Sequence, residues 1–133
     1  MSNPFSILSL KDKQSNLSKF SKDLEKNFSE FGFCGIRDHG IDTALVEEVL
    51  QIFKTFFNLS EETKLQYYNP DIGGARGYTP FRIETPKGGS LADLKEFWHT
   101  GREIRKNHPY KEWMLDNQSV SEIPSFEEKT AEL

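Results

Sequence analysis

Apolar positions along the chain fall into helical, extended and irregular spacings. Leu17, Phe20, Leu24, Phe28 and Phe31 follow one another at intervals of three, four, four and three, which places them on one face of an α-helix. Lys19, Lys22, Asp23, Lys26 and Glu30 fall on the other faces, so the helix is expected to lie on a surface with its aromatic stripe inward. Gly32, which tolerates positive φ, is its expected stop. A second helix is predicted after Asp42, whose side chain can accept from free amides, with Val46, Val49, Leu50, Phe53, Phe56 and Phe57 as its apolar face. Ser60 followed by Glu61 and Glu62 opens a third, short helix, its acids placed to suit the helix dipole.

Extended segments are shorter. Phe5 to Leu10, with Pro4 ahead of it and Phe5, Ile7, Leu8 and Leu10 apolar, reads as a strand. Phe33 to Ile36 reads as a short buried strand, followed by Arg37-Asp38-His39-Gly40. Asn69 to Gly77 is a Pro/Gly-rich loop, Gly77 to Thr85 is extended, Pro86-Lys87-Gly88-Gly89 breaks it, and Leu94 to Thr100 is a further strand. Gly101 to Pro124 is polar and irregular apart from Tyr110, Trp113, Met114 and Leu115. Pro124-Ser125 then introduces FEEKTAEL, a helix start with only about two turns before Leu133, so a chain cut before its natural end is expected. The elements together predict an α+β fold.

Composition refines this picture. At 133 residues there is room for one domain, and 11 Phe compensate for a hydrophobic content of only 35%. The net charge of −4, with lysines scattered among acids, lacks the one-sided basic footprint of a nucleic-acid binder. No apolar stretch reaches the length of a membrane span, and the N-terminus lacks a basic n-region and a sustained apolar h-region, so a cytoplasmic location is expected. The lone Cys34 excludes an internal disulfide and a cysteine-based zinc cluster, and its apolar context predicts a buried, inert thiol.

Candidate chemistry is sparse. The three histidines stand in His39-Gly-Ile, His99-Thr-Gly and His108-Pro-Tyr, and none forms the His-x-Asp/Glu pair of a two-histidine, one-carboxylate iron site. His39 is expected to be a hydrogen-bonded corner residue, His108 to be solvated, and His99, beside Trp98 at a strand end, to be the one that can point into a cavity. Gly73-Gly74-Ala75-Arg76-Gly77 lacks the Gly-Lys-Ser/Thr ending of a phosphate loop and reads as a flexible loop carrying one arginine. No Gly-x-Ser-x-Gly nucleophile elbow occurs.

Taken in order, five blocks resemble the N-terminal region of the isopenicillin N synthase-like non-haem Fe(II)/2-oxoglutarate-dependent dioxygenases. They are Ile7-Leu8-Ser9-Leu10; Gly32 to Ile41, with Asp38 where that family usually has Asn; Phe56 to Lys64; Arg76-Gly77-Tyr78; and Asp93-Leu94-Lys95-Glu96 followed by Gly101. The resemblance implies an α+β domain whose helices pack on a few strands that extend a jelly-roll (double-stranded β-helix) core absent from this chain. It divides the chain into an N-terminal domain at 1–120 and the start of a truncated helix at 121–133. It implies the substrate side of an oxidoreductase that hydroxylates, desaturates or cyclises small molecules, inactive without the downstream core supplied in cis or in trans. Whether this chain is itself an enzyme stays open, because the family's iron ligands and its Arg-x-Ser motif for 2-oxoglutarate do not occur in it. Fe(II) and 2-oxoglutarate are thus cofactors of the complete enzyme, with no catalytic, cofactor or metal residue expected here. Carried over, Arg76 pairs with a substrate carboxylate, and Tyr78, Trp98 and His99 line the same pocket. The alternative is a stand-alone binding module, a homodimer that covers its own strand edges; an unrelated metal-free enzyme using His99 is a third reading.

Overall fold

A computed structural model describes residues 5–133 of the protein and divides the chain into two units, Met1–Ile41 and Asp42–Leu133. Pro4, expected ahead of the first strand, lies outside the described residues.

In the first unit, β1 (Ile7–Ser9) pairs in parallel with β2 (Gly35–Arg37), Ile7 opposite Gly35 and Ser9 opposite Arg37. The first strand stops short of Leu10 because Ser9 is also a helix cap: its hydroxyl accepts from the Lys11 amide at 3.2 Å and starts α1 (Leu10–Ser15), a helix the apolar pattern does not announce. Asn16 caps α2 (Leu17–Phe31) through the Lys19 amide, and α2 ends at Gly32 with φ 77°, as the spacing predicts.

The aromatic stripe of α2 is not inward throughout, which corrects the expectation from periodicity. Phe20 and Asn27 are buried, whereas Leu17, Phe28 and Phe31 are exposed. Three-residue strands reach roughly 10 Å, while a 15-residue helix runs about 22 Å, so this sheet covers only part of the stripe. For the same reason the expected buried strand at Phe33 to Ile36 is displaced to Gly35–Arg37, with Phe33 and Ile36 exposed and Cys34 only half-buried. Asn27 ties the unit together: Oδ1 accepts from the Ser6 amide at 2.9 Å and Nδ2 donates to the Asp23 carbonyl at 2.7 Å. Asp38, at φ 56°, accepts from the Ser9 hydroxyl, which holds its carboxyl below the usual range, with Lys11 and Arg37 assisting.

The second unit begins where Asp42 caps α3 (Thr43–Phe57) through the Ala44 amide at 2.9 Å. Its inward arc is Val49, Ile52 and Phe56; Leu50, expected inside, is 60% exposed, because α5 (Phe126–Glu132) packs on the side that carries Ile52. Ser60 caps α4 (Glu61–Leu65) through the Thr63 amide. A 3₁₀ turn at Pro70–Ile72 then leads to β3 (Gly77–Thr79), which pairs antiparallel with β4 (Phe97–His99). The longer extended runs expected on either side shrink to these three pairs; beyond them, Arg82 N–H to Asp93 O and Asp93 N–H to Glu84 O continue the association.

Phe56 is fully buried at the centre of the core, with the rings of Phe57, Tyr67, Tyr78, Trp98 and Phe126 between 4.8 and 6.2 Å away. Val120 and Ile123, from the stretch read as polar and irregular, are also core residues. Of the more apolar residues in that stretch, Tyr110, Trp113 and Leu115 are exposed at 62%, 79% and 45%. α5 begins at Phe126 as predicted, and Lys129 anchors it to Glu48 of α3 at 3.0 Å.

Candidate functional site

Arg76, Tyr78, Trp98 and His99 gather on or beside the β3–β4 pair. Register sets Tyr78 opposite Trp98 and Gly77 opposite His99, so Tyr78 and Trp98 share the core face and His99 takes the other. The Tyr78 hydroxyl donates to Glu96 Oε2 at 2.5 Å, and the same oxygen accepts from Lys64 Nζ at 2.7 Å. Lys64 Nζ also lies 5.6 Å from the Tyr78 ring centroid and donates to the Phe57 carbonyl at 3.4 Å. This cation and its carboxylate are nearly enclosed, with side-chain exposures of 9% and 16%. Burial first, and the adjoining Glu96 carboxylate second, push the Tyr78 hydroxyl well above the usual tyrosine range. Trp98 Nε1 donates to Thr100 Oγ1 at 3.1 Å, and its ring packs edge-on to Phe56 and Phe126. The polar ends of both aromatic side chains are thus engaged within the protein.

His99 has a different environment. Its Nδ1 lies 2.6 Å from the Gly74 carbonyl, which can only accept, so Nδ1 carries a proton, and in the neutral ring the lone pair is on Nε2. With Phe97, Glu84 and Lys95 it lines a shallow depression of about 300 Å³.

Arg76 is half-buried rather than a freely solvated loop residue. Nη1 donates to the Ala75 carbonyl at 2.5 Å, and Nε is buried with no hydrogen-bond partner among the described residues. The guanidinium rests on Gly101, where a Cβ would overlap it and stand 2.7 Å from Nε. The turn that delivers Arg76 to this place needs Gly77: its φ is 80°, and a Cβ there would meet the Tyr67 carbonyl at 2.7 Å. Gly101 is held in turn by Asn117, whose Oδ1 accepts from the Gly101 amide at 2.8 Å and whose Nδ2 donates to the Gly101 carbonyl at 2.7 Å and to Glu103 at 2.6 Å. On another side Gly101 borders an open groove of about 520 Å³ formed with Val49, Phe53, Thr130 and Leu133.

Lys64, Glu96 and Asn117 are parts of this site that the sequence reading did not single out. Lys64 and Glu96 lie inside quoted blocks, but nothing local joins residues 32 positions apart. Asn117 has no signal beyond a polar side chain in a loop.

Among the described residues no group of three His, Cys, Asp or Glu side chains is placed to hold a metal ion. The histidines serve separate local bonds: His39 Nδ1 accepts from the Ile41 amide, His108 Nδ1 from the Tyr110 amide, and His99 binds Gly74. The described residues therefore do not fit an iron centre. Among them, also, no helix is long and apolar enough to cross a membrane.

Residues 4–122 match a family described as the N-terminal domain of non-haem dioxygenases in morphine synthesis. The chain is 32% identical over 121 residues to a Dictyostelium discoideum protein named as a probable iron/ascorbate oxidoreductase, covering 89% of this chain and 33% of that protein. It is 33% identical over 94 residues to the 2-oxoglutarate-dependent dioxygenase tropC of Talaromyces stipitatus, covering 69% of this chain and 29% of the relative. The crystal structure of a 2OG-Fe(II) oxygenase family protein from Caulobacter crescentus is similar with a TM-score of 0.80 and 36% identity, over 98% of this chain and 42% of that one. A full-length Neurospora crassa protein crystallised in complex with alpha-KG, at 19% identity and a TM-score of 0.68, shares the fold. The chain spans about a third of the length of these curated relatives.

Proposed function

Because the chain belongs to the N-terminal domain family of non-haem dioxygenases, we propose that it forms the substrate-side wall of an Fe(II)/2-oxoglutarate-dependent oxygenase whose chemistry resides in a jelly-roll core. In this reading residues 1–120 are the N-terminal domain, and 121–133 begin the helix that leads to the core. The core holds Fe(II) and 2-oxoglutarate and carries out the oxidation of a small molecule. The observation that carries the proposal is the likeness of nearly the whole chain to under half of a solved oxygenase family protein at 36% identity.

Two features support it. The β1–β2 pair has three residues per strand, and a two-stranded sheet of that size is marginal by itself, so strands added by the core would complete it. Ile7, Phe28, Phe31, Phe33 and Ile36 are exposed around that pair and are the apolar surface such a core would cover. In the substrate pocket, Arg76 pairs with a carboxylate of the ligand and His99 Nε2 accepts a hydrogen bond. Tyr78 and Trp98, whose polar ends are engaged inside the protein, contribute through the rigid back of that wall.

The test is Fe(II) binding and succinate formation from 2-oxoglutarate by the purified chain, alone and mixed with the core of a related oxygenase. The expected result is neither activity alone and a stable one-to-one complex with the core. Stoichiometric Fe(II) binding with 2-oxoglutarate turnover by the chain alone overturns the proposal. A stable homodimer that ignores the core overturns it in favour of a stand-alone interaction module.

A further inference from the structure

Resting on that reading of Arg76, we infer that Gly101 and Asn117 are positioning residues that clamp the Arg76 guanidinium in one orientation before any ligand arrives. The first observation is steric. Arg76 lies across Gly101 so closely that any Cβ at that position would overlap the guanidinium, so only glycine permits the arrangement. The second is that Gly101 is itself pinned on both of its backbone groups by one side chain, Asn117, whose remaining amide proton is taken by Glu103. An asparagine amide can satisfy an N–H and a C=O of the same residue at once, which ties down both peptide groups that flank its Cα. The third is the state of Arg76. Its Nε is buried and unpartnered among the described residues, and Nη1 is bound to the neighbouring Ala75 carbonyl.

A long, flexible cation would ordinarily leave such a place for water, since an unpaired buried donor is unfavourable. Here the clamp holds it. Ordering the arginine in advance removes the side-chain entropy that a ligand would otherwise have to overcome.

The side-chain Nε–H resonance of Arg76 in the 133-residue chain reads this directly and needs no substrate. In the wild type it should exchange with water at least about tenfold more slowly than the Nε–H of exposed Arg105. Asn117→Ala and Gly101→Ala should each bring it to the Arg105 rate. Asn117→Asp keeps the acceptor for the Gly101 amide and loses the donors, and should fall between. Backbone amide dispersion reports whether each variant stays folded. An Arg76 Nε–H that already exchanges like Arg105 in the wild type, or that stays protected in a folded Asn117→Ala protein, overturns the clamp. Titration with sodium succinate separates the two ideas: a protected Nε–H whose Arg76 side-chain resonances ignore succinate counts against the carboxylate reading and leaves the clamp standing.

Discussion

Replacing Glu96 by leucine removes the one carboxylate that serves both Lys64 and Tyr78. At the 2.7 Å separation, and with an effective dielectric of about 20, the gross attraction between Lys64 and Glu96 is about 6 kcal/mol. Desolvation of both charges consumes much of that, so the pair itself contributes little net stability. Breaking it is another matter. Glu96→Leu leaves a cation with 9% side-chain exposure beside an aromatic ring, and it strands the hydroxyl of a tyrosine that is 1% exposed. Loss of one partner of a buried pair costs about 3–5 kcal/mol, and the 16% exposure of Glu96 places this case near the lower end, at about 3 kcal/mol. Lys64→Met should cost about the same or slightly less, since Glu96 keeps the Tyr78 hydroxyl. The double variant should cost no more than one single variant, a coupling on the order of 2–3 kcal/mol. Urea unfolding followed by tryptophan fluorescence is the assay: Trp98 is half-buried against the core, whereas Trp113 is 79% exposed and changes little. Additive single costs, or a Glu96→Leu cost within about 0.5 kcal/mol of zero, would refute the reasoning.

Three further outcomes follow from the same structure. Phe56→Ala, at a side chain 0% exposed and ringed by five aromatic neighbours, should cost about 3–5 kcal/mol in urea unfolding of the second unit. Asn27→Ala orphans the Ser6 amide and should cost about 1–3 kcal/mol, read as faster amide exchange at Ser6 and along β1. Tyr78 has its pKa raised in the folded protein, so the proton it holds contributes stability fully below the unfolded value near 10 and progressively less as pH rises beyond it. Between about pH 7 and 11 the wild type should therefore lose more unfolding free energy than Tyr78→Phe, and parallel pH profiles for the two would contradict the assignment.

Helices were legible because their signals are local. Gly32, Asp42 and Ser60 act on amides or dihedrals within a turn of themselves, and each terminates or caps its helix in the structure as read. Strand extents were not, because pairing depends on a distant partner: β1 ends at Ser9 since that hydroxyl also caps α1 and bonds to Asp38, 29 positions away. Periodicity also gives a face only to within about one position, which is how Leu50 was placed inside and Ile52 passed over. Val120 and Ile123 carry no period at all, so their place in the core was not legible.

Three of the five blocks behind the family resemblance meet in space within the second unit, and this changes what they mean. Lys64 closes the Phe56 to Lys64 block, Tyr78 belongs to Arg-Gly-Tyr, and Glu96 to Asp-Leu-Lys-Glu; the three share one carboxylate oxygen. Phe56, which opens the first of these blocks, packs on the ring of Tyr78. Gly101, which closes the last, seats the arginine of the middle one. These three blocks are therefore committed in large part to holding α4, β3 and β4 together, and the polar ends of Lys64, Tyr78 and Glu96 are satisfied internally. What that scaffold does not consume is the better guide to chemistry. Among the described residues, Arg76 Nη2 and His99 Nε2 make no hydrogen bond; His99 belongs to the Gly77–His99 pair at one end of the β3–β4 ladder, and Arg76 immediately precedes Gly77. A scaffold this firmly tied can hold two such groups in place, and under the proposed reading of the pocket it is at that end of the ladder, rather than at Tyr78 or Trp98, that substitutions should alter substrate binding without altering the fold.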